Sequence, residues 1–142
     1  MAYATLADIQ DQLSEAELIQ LTDDAGTGEV DEDVAARAIA DADAVIDGYI
    51  GMRTAVPLSA VPPILRTYSV DLAIYNLYSR RQDSMPEVRK DRYAAAMKYL
   101  GWIAEGKISM GADDPDGNPP ASSGIKVRGK RQIMSGAKLR RF

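Results

Sequence analysis

Neither cysteine nor histidine occurs anywhere in the 142 residues. That excludes disulfides, thiolate nucleophiles, imidazole acid-base catalysis and every zinc site built on sulfur or nitrogen ligands. No apolar run approaches the roughly 18 residues a bilayer-spanning helix needs, so no membrane role is expected. The opening residues lack the basic start and apolar core of a signal peptide, and folding in a cytoplasm is the resulting expectation. Basic residues are almost missing from the first third: residues 1–50 hold thirteen acids and a single base, Arg37. Acids are missing from the other end, where residues 125–142 hold seven bases and no carboxylate side chain. A net charge of −4 conceals this separation, which suits ends that meet different partners or meet each other between subunits.

With 46% hydrophobic residues, the chain suits one compact body with appendages, being too short for two ordinary domains. Leu6, Ile9 and Leu13 share one helical face and predict a short first helix. Ser14 and Glu17 have the spacing of a capping box, in which hydroxyl and carboxylate each satisfy an orphan backbone donor, so a second short helix begins there. Residues 23–28 end it in a turn, and Gly26 and Gly28 are too few for a phosphate cradle.

Asp31 fits the N-cap of the longest helix, running to about Arg53 with Glu32 and Asp33 favouring its positive end. Val34, Ala38, Ala42, Val45, Ile46 and Tyr49 form the flank expected to be buried. The opposite flank carries Ala36, Ala40, Ala44 and Gly48, where a solvated helix usually has lysine and glutamate. Small side chains let another helix approach, although alanine is also the best helix former.

Residues 54–63 form a proline-rich elbow, and Pro63 opens a helix to about Arg81 with apolar residues on several sides. Asp71 on it needs a cation, with Arg53 or Arg92 the candidates. Ser84 and Glu87 repeat the capping-box spacing before a helix to about Glu105, with Val88, Tyr93, Ala96, Tyr99, Leu100 and Ile103 inward and Gly106 as its stop. Beyond it the helical period disappears. The fold class is therefore mainly α, a small bundle of about four to five helices with an extended C-terminal arm: body 1–106, a Gly/Pro/Asp linker 107–124, and a basic arm 125–142.

Candidate sites are weak as chemistry. Asp114, Asp116 and Asn118 imitate a calcium loop, but Pro119 stands where glycine is required and Ile125 where glutamate closes the loop. Asp41, Asp43 and Asp47 are spread around their helix rather than converging on a cation. Tyr68, Tyr75, Tyr78, Tyr93 and Tyr99 lie beside leucine and isoleucine at helical spacing, as core aromatics rather than a base-stacking platform. No catalytic, cofactor or metal residues are assigned. The arm's Lys126, Arg128, Lys130, Arg131, Lys138, Arg140 and Arg141 suit either phosphates or an acidic neighbouring subunit.

The order of motifs resembles the Mu-like prophage head-tail connector family, phage proteins of the head-completion or adaptor class. The resemblance is carried by Tyr3 to Asp8, Leu21 to Asp23, Ala38 to Ala42 with Ile46 to Tyr49, and Arg53 followed by Val56 to Leu58 and Pro62 to Leu65. It continues through Asp71 to Tyr75 with Leu77, Arg92 with Tyr93, Leu100 to Gly106, Arg131 to Ser135 and Leu139 to Phe142. Met134 departs from it, standing where the family pattern usually has an aromatic. The resemblance implies a helical body that sits as a ring, dodecameric in expectation, below the portal protein, docks the tail or a tail-completion protein, and passes DNA through its centre. Such a protein is no enzyme and needs no cofactor; it assembles in the host cytoplasm and ends in the virion. Ala36, Ala40, Ala44, Gly48 and Arg53 are then candidates for the subunit contact, and the seven arm bases with Phe142 for contact with a partner or DNA. The alternative is a DNA-binding accessory protein that uses the basic arm.

Overall fold

The computed structural model describes residues 2–81 and 85–111, and among them the regular elements are five helices and no strand. In chain order these are α1 (Leu6–Gln10), α2 (Glu15–Thr22), α3 (Glu32–Ile50), α4 (Pro63–Ser79) and α5 (Glu87–Ala104). The mainly α expectation is met. The 112–124 part of the linker, the arm, and Asp114, Asp116 and Asn118 lie outside the described residues.

Local chemistry sets most helix starts. Ser14 and Glu17 close the expected capping box on α2, and Thr5 with Asp8 closes a second one on α1 that the apolar spacing did not reveal. Asp31 caps α3, its carboxylate accepting from the amides of Asp33 and Val34 at 3.0 and 3.2 Å. The start of α5 is a correction. Pro86, at φ −58° and ψ 137°, is its N-cap and Glu87 its first residue, so Glu87 is not the third residue of a box opened at Ser84. Ser84 itself lies outside the described residues.

Helix α4 is central, packing on α3 along one side and on α5 along another, while α1 and α2 each touch both α3 and α4. Leu65, Leu72, Ile74 and Leu77 of α4 meet Ile46 and Ile50 of α3 and Leu100 and Ile103 of α5 in one continuous core. The buried face of α3 is broader than expected and rotated. Ala35, Ile39, Asp43 and Ile50 join it, whereas Val45 is 39% exposed at its edge. On α5, Val88 and Tyr99 are exposed instead of inward. At 100° per residue both fall roughly a fifth of a turn from Ala96, at the edge of the arc that α4 covers. Tyr99 instead stacks on Tyr68 and meets Trp102 edge-on. The chain stays on the core beyond Gly106, with Ile108 half-buried and Met110 buried, so packing continues past the expected 1–106 body.

Long side chains fasten the loops. Arg80 and Arg81 both reach Asp24 and donate to the carbonyls of Leu21 and Asp23, tying the α2–α3 turn to the end of α4. Arg89 and Arg92 do the same for the α1–α2 turn through Gln12. Asp71 takes Arg92 at 3.7 Å, one of its two expected partners. Burial raises its carboxyl above the ordinary range, against the pull of Arg92 and Arg89.

Neighbouring positions on α3 should therefore respond differently to truncation. Ile46→Ala is expected to cost about 2–5 kcal/mol in urea unfolding, whereas Val45→Ala should stay within about 0.5 kcal/mol. Similar losses at the two positions would contradict the rotated face.

Candidate docking groove

The small-residue flank of α3 is open to solvent, with Ala36, Ala40, Ala44 and Gly48 all exposed. It does not lie on a plain convex surface. The N-terminal segment runs beside it, so that Ala2 and Ala4 on one side and Ala36, Ile39, Ala40 and Ala44 on the other enclose a groove of about 410 Å³. Asp43 and Asp47 stand in its wall.

Tyr3 makes the groove by strapping residues 2–4 onto the helix. Its amide donates to Asp43 Oδ2 at 3.1 Å and its hydroxyl donates to Asp47 Oδ1. Ser69 of α4 donates to Asp43 Oδ1 at 2.6 Å, so this carboxylate joins three segments: strap, α3 and α4. Asp43 is 5% exposed. Burial raises its pKa above 3.8, while the Ser69 hydroxyl and Tyr3 amide pull it down. The Tyr3 phenol is likewise pushed up, first by burial and then by its bond to Asp47.

Of the residues proposed from sequence for a subunit contact, the fold brings Ala36, Ala40 and Ala44 together in the groove. Gly48 continues the same exposed flank one turn on. Arg53 does not join them, its guanidinium lying beside Gly106 past the end of α5. Asp41 faces a separate, smaller depression with Arg37, Asn76 and Arg80. Asp43 and Asp47 do converge, but on Tyr3. Among the described residues no group of acidic side chains is arranged to hold a metal ion. Tyr75 and Tyr93 stack on each other at 3.8 Å between α4 and α5 instead of presenting free faces. The strap, and with it the convergence of Asp43 and Asp47, was missed by reading α3 alone, and its one signal was Tyr3 in the opening motif.

The described residues form a helical bundle with an open, alanine-lined groove, and no helix among them is long and apolar enough to cross a membrane. Comparison with known proteins makes the class particular: residues 3–129 match the family described as Bacteriophage Mu, Gp36, and the chain belongs to that family. It is 31% identical over 138 residues to "Gene product J" of Escherichia phage Mu, covering 95% of each chain. It is 33% identical over 98 residues to "Mu-like prophage FluMu protein gp36" of Haemophilus influenzae, covering 69% of this chain and 67% of that one.

The strap's carboxylate gives a pH signature. Asp43 binds its proton more tightly in the folded chain than in the unfolded one, so its contribution to stability falls as pH rises from about the unfolded value of 3.8 through the raised folded value. Titration of the Asp43 carboxyl by carbon NMR should give a midpoint above 3.8, and Ser69→Ala should raise it further by removing the donor to the charged form. A midpoint at or below the ordinary value would contradict the buried geometry.

Proposed function

We propose that this chain is a structural subunit of the phage particle, a head-tail connector that works by assembling as a ring between portal and tail. DNA passes through the centre of the ring, and the twelvefold count is the one the family resemblance implies. The chain acts by assembly and carries out no reaction. It meets its partners in the host cytoplasm and remains in the virion.

One observation carries most weight: α3 is fully packed on one side and bare on the other. On a solvated helix three alanines add helix propensity but no solubility, and Gly48 costs about 1 kcal/mol relative to alanine in a helix interior. Close approach of a neighbour supplies a reason for both. In a ring, each copy presents one patch to a different patch of the next, a head-to-tail contact that closes by rotation. The exposed Ala36, Ala40, Ala44 and Gly48 are the residues available for one such patch, and the chain's family is one of Mu-like phages.

The seven bases of residues 125–142 support a second reading, a DNA-binding accessory protein. Its mark is retention of duplex DNA that weakens steeply with salt, through counterion release, and vanishes when the chain is cut after Gly124. Retention that persists after that cut would exclude the arm as its source.

The ring reading is tested by filling the flank. Leu at Ala40 and Ala44 together should abolish rings in light scattering while leaving the folded monomer intact, since both positions are exposed. Unchanged assembly by a folded double variant would remove α3 from the contact.

A further inference from the structure

The acids of the N-terminal half differ in what they already hold. Asp8 and Glu17 close capping boxes, Asp31 caps α3, and Asp23 accepts from the amides of Thr27 and Gly28. Asp24 is taken by Arg80 and Arg81. Asp43 and Asp47 differ from all of these. They stand in the wall of the groove, their hydrogen-bond donors are the neutral Tyr3 and Ser69, the positive charge of the amino terminus acts on Asp43, and among the described residues no lysine or arginine side chain forms an ion pair with either.

An alanine floor with two carboxylates in its wall selects a particular kind of peptide. Apolar side chains gain by leaving water for the floor, and lysine or arginine is drawn to the wall's two carboxylates, which outnumber the one amino terminus acting on them, whereas an acidic segment would be repelled. The chain carries such a segment. Ile125, Val127, Ile133, Leu139 and Phe142 are interspersed with seven bases and no acid. Its tether can span more than the length of the helix that floors the groove. The described chain reaches Gly111, shortly after Gly106 passes beside Arg53 near the end of α3. The thirteen intervening residues, 112–124, span up to roughly 43–47 Å, while α3 is roughly 28 Å long.

We propose that the groove between residues 2–4 and α3 receives the basic segment Ile125–Phe142 of a neighbouring copy. The inference rests on the ring reading and deepens it, since each copy then offers one groove and one arm, and the separated charges of the sequence meet between subunits. The attraction acts through the half-buried Asp47 more than through the buried Asp43, so it weakens as the Debye length falls from about 10 Å at 0.1 M salt to about 3 Å at 1 M.

Two full-length variants isolate a single contact. Ala40→Trp fills the groove at an exposed position and keeps the arm. Glutamate at Lys126, Arg128, Lys130 and Arg131 spoils the arm and keeps the groove. The second chain is labelled with nitrogen-15 and titrated with the first. Amide shifts at Ala36, Ala40, Ala44 and Asp47 are expected, saturating at one equivalent and lost in 1 M salt; dispersed spectra show that both chains are folded. A titrant carrying both sets of changes should produce no shifts. Absence of shifts, shifts confined elsewhere, or equal shifts with the doubly changed titrant would overturn the docking. Rings formed by the arm-reversed chain would also overturn it while leaving the ring reading standing. Groove shifts without any ring in the presence of portal protein would uphold the docking and sink the ring.

Discussion

Everything in this molecule is hung on the packing of α3 against α4, and on the buried Asp43 that fastens the two. Ile46 and Ile50 of α3 lie against the leucines of α4 with no exposed surface. A carboxylate in such a place is costly unless its oxygens are satisfied. Ser69 from α4 satisfies one oxygen and the Tyr3 amide the other. One side chain thus fixes the register of the central helix pair and positions the N-terminal strap that gives the outer flank of α3 its second wall. Core and groove are consequences of the same contact.

The small residues of α3 take their meaning from that arrangement. On an isolated helix, alanine at every fourth position is no more than good helix propensity. Beside a strap held by Tyr3, the same alanines become the floor of a concave apolar surface with carboxylates at its side. Membership of the Bacteriophage Mu, Gp36 family places the surface on a protein of Mu-like phages. Under the proposed docking, the charge separation along the sequence would act as attraction between unlike ends of neighbouring molecules.

Legibility in the sequence followed the range of each interaction. The N-cap at Asp31, the Ser14–Glu17 box, Pro63 at the start of α4 and the positive φ of Gly106 are matters of a few residues, and spacing was enough to place them. The centrality of α4 was legible because apolar residues cover most of its circumference. Val45, Val88 and Tyr99 were misplaced because periodicity gives an apolar arc, and only the position of the neighbouring helix decides where its edge falls. The start of α5 failed for a different reason: two residue types at the right spacing suggested a box, but the helix begins only after Pro86. Least legible were links between distant segments, such as Tyr3 to Asp43 and Asp47, or Arg80 and Arg81 to Asp24, which depend on tertiary placement alone.

The central claim is that the bare flank of α3 is covered when identical copies stand side by side around an axis. Electron microscopy of the purified protein, alone and mixed with its portal protein, tests this most directly. The expected result is a closed ring in which the alanine flank of each copy is buried against its neighbour. A protein that stays a single copy in both samples, is absent from finished particles and turns over a substrate would contradict it.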